Sequence, residues 1–219
     1  MDFEFTEEQK MVKDMARKFA EAEIIPFARE NDVHEHFPMD IIKKMAPLGF
    51  LGGPIPEKYG GAGLDFISDA IIFEEIGRAD SSLRTTLSVQ VSIVGLTILK
   101  WGSEEQKQRY LPRLCSGEFI GCFALTEPGA GSDASSILTN AVLKGNEWIL
   151  NGTKTWISNG SIANISIVFA VTDKTKGSKG ITAFFIEKGS PGFSTKDIKG
   201  KLGLRSYNTA ELIFEDCRI

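Results

Sequence analysis

The sequence predicts an α+β protein: an all-helical N-terminal domain over residues 1–118, then an antiparallel β-barrel-like domain over residues 119–219. Three observations carry this expectation. In the first half, apolar residues recur at helical spacing between recognisable helix caps. In the second half, short runs rich in β-branched and aromatic residues alternate with Gly- and Asn-containing turns. No Gly-x-Gly-x-x-Gly opens a helix after a strand, which disfavours a dinucleotide-binding βαβ arrangement.

The helical signals follow in chain order. Thr6 and Gln9 form a capping box. Met11, Met15, Phe19 and Ile24 then mark an apolar face that Pro26 kinks or ends. Met39 to Met45 reads as a short helix before the turn at Pro47 and Gly49. Ser68 is the expected cap of a helix through Ile76, with Gly77 near its end. Ser81 or Ser82 begins a mostly uncharged stretch to Trp101, and a helix apolar on nearly all sides is usually buried. Ser103 and Gln106 make a second capping box, opening a helix towards Leu114. Two acidic features have bland readings: Glu74–Glu75 as an exposed helix face, and Glu35 between His34 and His36 as part of a solvated loop.

After residue 118 the period changes. Phe119 to Leu125 is compact and apolar. Thr139 to Leu143 and Trp148 to Leu150 flank Gly145-Asn146, a hairpin signal. Ile165 to Val171 and Ile181 to Ile186 read as strands, and Glu211 to Phe214 begins another. Thr172 to Gly180 has the composition of a surface loop.

The composition is that of an ordinary globular chain: 219 residues, 42% hydrophobic, 25% charged, net charge −4. That is enough apolar mass for a core. Without a basic or acidic block, nucleic acid and membrane surfaces are not expected partners. No run reaches the ~18 consecutive apolar residues of a membrane span. Met1 to Phe5 lacks the basic start and apolar run of a secretory signal. Cys115, Cys122 and Cys217 are odd in number and have no paired spacing. They read as buried thiols in a reducing cytoplasm, and no metal site is expected.

The chemically informative stretch is Phe123-Ala124-Leu125-Thr126-Glu127-Pro128-Gly129-Ala130-Gly131-Ser132-Asp133. It is a strand that ends in a Gly-rich turn. Glycines allow positive φ and close backbone approach. Exposed amides in such a turn can receive an anion or a heteroatom-rich ring. Thr126 and Ser132 add hydroxyls. Taken alone, such a turn is structural more often than functional.

Thr126 through Asp133 resembles the flavin-binding signature of the acyl-CoA dehydrogenase family. Lys154-Thr155-Trp156-Ile157-Ser158-Asn159-Gly160 looks like that family's second flavin segment. Gly180-Ile181-Thr182-Ala183-Phe184-Phe185 is similar to the strand after its acyl-CoA loop. Leu202-Gly203-Leu204-Arg205 with Phe214-Glu215-Asp216 looks like the segment closing its middle domain. Ile55-Pro56-Glu57-Lys58-Tyr59-Gly60-Gly61 and Glu74-Glu75-Ile76-Gly77 also match, so the resemblance covers essentially the whole chain in fixed order.

The resemblance implies an FAD-dependent oxidoreductase of fatty acid metabolism. It would oxidise the Cα–Cβ bond of an acyl-CoA thioester and pass electrons to an electron-transfer flavoprotein. A carboxylate would take the α-proton as the β-hydrogen leaves as hydride, helped by hydrogen bonds to the thioester carbonyl. It also implies a homo-oligomer, tetrameric in the complete protein. Carried over by position, Phe123, Ala124, Leu125, Thr126, Gly129, Gly131, Ser132, Trp156, Ile157 and Ser158 would hold FAD. Trp156 would cover one face of the ring. Ser158 stands where many relatives have Thr. Ser132 and Ser178 would contact the acyl-CoA. Glu127 reads as an orienting or surface charge and Asp133 as a turn cap.

The family's catalytic base lies on a C-terminal helical domain that these 219 residues are expected to lack, so no catalytic residue is assigned. An acyl-CoA oxidase or a monooxygenase on the same scaffold, or an inactive truncated binding module, are the alternatives.

Overall fold

Thr6 begins the first helix as its sequence requires. Its hydroxyl accepts from the Gln9 amide at 3.2 Å, and the Gln9 side chain accepts the Thr6 amide at 3.1 Å. The computed structural model describes residues 4–219; Met1 to Phe3, most of the stretch read above for a secretory signal, lie outside them. Two units form: one from residues up to Phe119 together with Gly200–Tyr207, the other from Ile120–Lys199 and Asn208–Ile219.

In the first unit α1 (Glu7–Phe19) runs through a widened π turn at Ala20–Ile24 into α2 (Ile25–His34). Pro26 sits in the first turn of α2. It cannot donate, and its ring crowds the carbonyl four residues back, so the helix widens there. Glu35 ends α2 in the left-handed region, φ 52°. After α3 (Met39–Met45), α4 spans Phe66–Ala79. Its cap is Asp65, not Ser68: the Asp65 carboxylate accepts the Ile67 and Ser68 amides, both at 2.8 Å. A carboxylate takes two amides where a hydroxyl takes one, so the helix starts a turn earlier.

α4 also corrects the reading of Glu74–Glu75. Glu75 is only 2% exposed and lies between Arg17 of α1 at 2.8 Å and Arg78 at 3.0 Å. Its burial is tolerable because both oxygens meet guanidinium donors.

α5 (Ser81–Ser88), a π segment (Val89–Gly95) and α6 (Leu96–Trp101) form one apolar rod. By length and composition it could cross a membrane, but 56% of its apolar window is buried within the chain, the pattern of a core helix. Gln90 on it donates to the carbonyls of Leu114, at the end of α7 (Glu104–Cys115), and of Phe119. The segment Gly200–Tyr207, read above with the closure of the second domain, belongs to this unit. The Arg205 amide donates to Asp32 at 2.9 Å, and its guanidinium meets Glu35 at 3.0 Å.

The second unit is a single curled sheet of seven strands: β1 (Gly121–Ala124), β2 (Asn140–Lys144), β3 (Glu147–Ser158), β4 (Ile165–Val171), β5 (Ile181–Glu187), β6 (Phe193–Asp197) and β7 (Thr209–Arg218). Gly145-Asn146 closes the β2–β3 hairpin as expected, with Gly145 at φ 64°. The sheet is mixed rather than strictly antiparallel. β1 runs parallel to β4 over four residue pairs, and β2 meets β4 in parallel at Asn140 and Val171. Strand periodicity carries no information on direction, and the parallel pairs join segments far apart in sequence. β5 takes the other edge of β4. Flanked on both edges, β4 is buried along most of its length. Ala210, Leu212 and Phe214 of β7 alternate inward onto Leu150, Ile157 and Val168.

Several buried side-chain oxygens of the described residues make no hydrogen bond, one of them on α4. Asp69 of α4 is 4% exposed, and its Oδ1 makes no hydrogen bond. Burial raises its carboxyl from the ordinary 3.8 to about 6. The neutral acid is therefore the form the fold favours. Its stabilising contribution is complete below about pH 4 and is lost as pH rises through about 6. Asp69→Asn should remove this component. Between pH 4 and pH 8 the stability of the variant should gain on the wild type by up to about 3 kcal/mol, read by urea melts across pH. A pH-independent difference would assign Asp69 no role in the acid response.

Candidate functional site

The loop between β1 and β2 leaves the edge of β4 at Ala124 and returns to it at Asn140. It carries the Gly-rich turn, and β3 passes beside it. The Thr155 amide donates to the Thr126 carbonyl at 3.0 Å. The Lys154 ammonium donates to the Leu125 carbonyl at 3.1 Å and to Glu127 Oε1 at 2.8 Å. Glu127 in turn accepts the amides of Leu138 at 2.6 Å and Thr139 at 3.0 Å. The two sequence segments singled out above are thus bound together by side chains to which no ligand role was given.

Lys154 is 0% exposed and Glu127 is 6% exposed. Burial opposes the charged form of each. For Glu127, the donors from Lys154, Leu138 and Thr139 outweigh burial and hold the carboxyl below its usual range. For Lys154, desolvation prevails over Glu127 and lowers its pKa. Glu127 is therefore neither a surface charge nor an available base. It is an orienting group, one of the two roles its sequence context suggested.

Trp156 lies where β3 loses register with β7, between Lys154 and Ile157. Its φ is 58° and it is 61% exposed. A bulky residue in the left-handed region is a genuine backbone outlier, and such strain gathers at ligand sites. Among the described residues no ring contact holds this indole. The other candidates divide into two kinds. Ala124 and Ile157 point into the core, so only their backbone can serve a ligand. Phe123 packs on Phe169, with ring centroids 4.8 Å apart. Leu125, Thr126 and Ser158 are half-buried at the two strand ends, and Gly129, Gly131 and Ser132 are exposed.

Gly129 and Gly131 do not adopt positive φ. A Cβ built on either meets nothing within 4 Å. The positive-φ argument for these glycines fails, and what remains is an amide face open to the outside. Asp133 caps the short turn Ala134–Ser136 by accepting the Ser135 amide. Ser178 is exposed in the Lys174–Gly180 loop and makes no side-chain hydrogen bond to the Gly-rich turn. A cavity of about 400 Å³ lies behind the turn, lined by Glu127, Gly129, Thr139 and Gly152 among others. Of the candidate residues only Gly129 lines it.

The residues present suit a flavin: amides and hydroxyls on an open turn for a ring rich in N and O atoms, with a largely exposed aromatic on the adjoining strand. Residues 6–118 match the profile "Acyl-CoA dehydrogenase, N-terminal domain" and residues 122–217 the profile "Acyl-CoA dehydrogenase, middle domain". The chain belongs to the acyl-CoA dehydrogenase family. The short-chain specific acyl-CoA dehydrogenase of Clostridium acetobutylicum is 47% identical over 216 residues, 99% of this chain and 57% of that protein. A chain in the structure described as "Electron transferring flavoprotein of Acidaminococcus fermentans" is 48% identical with a TM-score of 0.97, covering 100% of this chain and 58% of that one. A glutaryl-CoA dehydrogenase from Mycobacterium smegmatis in complex with FADH2 is 36% identical with a TM-score of 0.93, covering 98% and 54%. The chain thus spans little more than half the length of these relatives.

The strain at Trp156 gives a prediction. Asn accepts the left-handed region far more readily than Trp, and little burial is lost at an exposed site. Trp156→Asn should leave the ligand-free protein more stable by roughly 0.5–1 kcal/mol in denaturant melts. A loss of stability of that size would mean that the indole supports the fold.

Proposed function

We propose that this chain carries the flavin- and acyl-thioester-binding part of an FAD-dependent acyl-CoA dehydrogenase. The complete protein would remove the α- and β-hydrogens of an acyl-CoA and deliver electrons to an electron-transfer flavoprotein. The observation that carries the reading is the joining of residues 125–127 to residues 154–155, which brings the turn amides and the strained, exposed Trp156 onto neighbouring strand ends. The FADH2-bound relative supports the cofactor, and the structure named for an electron-transferring flavoprotein supports the partner.

In this reading Thr126, Ser158 and the amides of Gly129, Gly131 and Ser132 donate to the heteroatoms of the ring, and the Trp156 indole shields one face from water. The hydroxyls of Ser132 and Ser178 contact the acyl-CoA. A bound flavin supplies the two-electron acceptor for the hydrogen leaving Cβ. Glu127 does not take the α-proton, because both its oxygens already receive donors. These residues bind and orient, and the base is a different carboxylate.

Two measurements test this. The purified native protein should be yellow and release FAD on denaturation. Thr126→Ala and Trp156→Ala should each weaken FAD binding by about tenfold or more, or shift its visible spectrum. If neither variant alters affinity, spectrum or turnover, the site is misplaced. The second measurement is anaerobic titration of the flavin-loaded 219-residue chain with acyl-CoA thioesters of several lengths. Little bleaching is expected, since a positioned base contributes roughly 10²–10⁴-fold. Rapid bleaching would make Glu127 the first suspect as base, and fast reoxidation by air would favour an oxidase.

A further inference from the structure

We infer that the buried Glu127–Lys154 pair is the positioning element that sets Trp156 against the Gly-rich turn, and that it governs flavin binding without touching the flavin. The inference rests on the flavin-site reading above.

Trp156 has little else to hold it. The β3–β7 ladder is broken between Lys154 and Ile157, so β7 does not fix the backbone of residues 155–156. What does fix it is the turn. Thr155 donates to Thr126, and Lys154, two residues before Trp156, reaches Leu125 and Glu127. Glu127 passes the constraint on to the amides of Leu138 and Thr139, where the loop returns to the sheet. One ion pair therefore connects the start of the loop, its end and the bulge that presents the indole. Both charges are buried. Inside the protein such bonds are strong and water cannot substitute for a lost partner. The gap between the strand ends, and with it the seat of the ring, depends on the pair remaining intact.

The test uses the native full-length protein with and without FAD. Lys154→Met and Glu127→Gln are titrated with FAD, and the visible circular dichroism of the bound flavin is recorded at saturation. Lys154→Arg, which retains the cation, is run beside them. The Kd for FAD should rise at least about tenfold in the first two variants. The dichroism of the saturated flavin should change, and Lys154→Arg should restore part of both. In the flavin-free protein, hydrogen exchange at the Leu138, Thr139 and Thr155 amides should accelerate about tenfold or more while the β4–β5 ladder stays protected. If Lys154→Met does not fold, the isosteric Glu127→Gln carries the same comparison. Folded variants that lose only thermal stability, with Kd and dichroism unchanged, overturn the inference. A wild type that takes up no FAD removes the proposed function and this inference together. A wild type that binds FAD, with variants that match it, removes this inference alone.

Discussion

A lysine with no exposed surface must find an anion and further acceptors, or lose its charge. Lys154 finds Glu127 and the Leu125 carbonyl, and much of the second unit is arranged around that requirement. Glu127 can reach Lys154 only if the chain turns sharply after β1. The remaining capacity of the Glu127 carboxylate is then filled by the amides that begin the return to β2. The loop is closed at both ends by one carboxylate. β3, at twelve residues the longest strand, serves as the spine. It pairs with β2 and β7, and its breaks in register with β7 fall between Leu150 and Gly152 and between Lys154 and Ile157. Gly152 is tolerated at φ 147° because it has no Cβ to strike Thr139. Trp156 occupies the second break.

Features written in neighbouring residues were legible in the sequence. Both capping boxes, the Gly145-Asn146 hairpin and the change from helix to strand are local, and local propensity agrees with the fold at each. The features that escaped depend on distant partners. Glu75 reads as a solvated charge until Arg17, 58 positions away, closes on it. Glu127 and Lys154 are 27 residues apart, and the reading of Glu127 as an orienting or surface charge carries no sign of its partner. The parallel pairing of β1 with β4 joins residues 44 apart, as with Gly121 and Ile165. The burial of Asp69 is hidden because its α4 neighbours are unremarkable in type. A cap was misplaced by a turn because Asp65 outcompetes Ser68.

The site shows the same division. Its two segments were visible as motifs, but the force that joins them was not. The positive φ expected of the turn glycines is not found: Gly129 and Gly131 are open rather than left-handed. A left-handed residue at the neighbouring strand end is the tryptophan, where no propensity argument would put it. A bulge built for stability alone would place Gly or Asn there and turn the indole inward. Asn159 and Asp216, the other non-glycine residues of this unit with positive φ, are of the types that tolerate it. At Trp156 the strained position instead carries the largest side chain and holds it exposed.

The same reasoning bears on why the clamp is ionic. Well-packed apolar residues often replace a buried ion pair with no loss of stability. That exchange is unavailable here. The Leu125 carbonyl and the amides of Leu138 and Thr139 are bonded to the pair. An apolar replacement would take these partners from all three, and the buried Thr139 amide alone would then cost about 1–3 kcal/mol. A backbone partner could satisfy them only by extending the ladder through the turn, and that would close its outward amide face. Two buried charges satisfy an irregular loop from within while leaving its outer face unpaired. The ion pair is thus the means by which this sheet can end in an open turn whose outer amides are left unpaired by the fold itself.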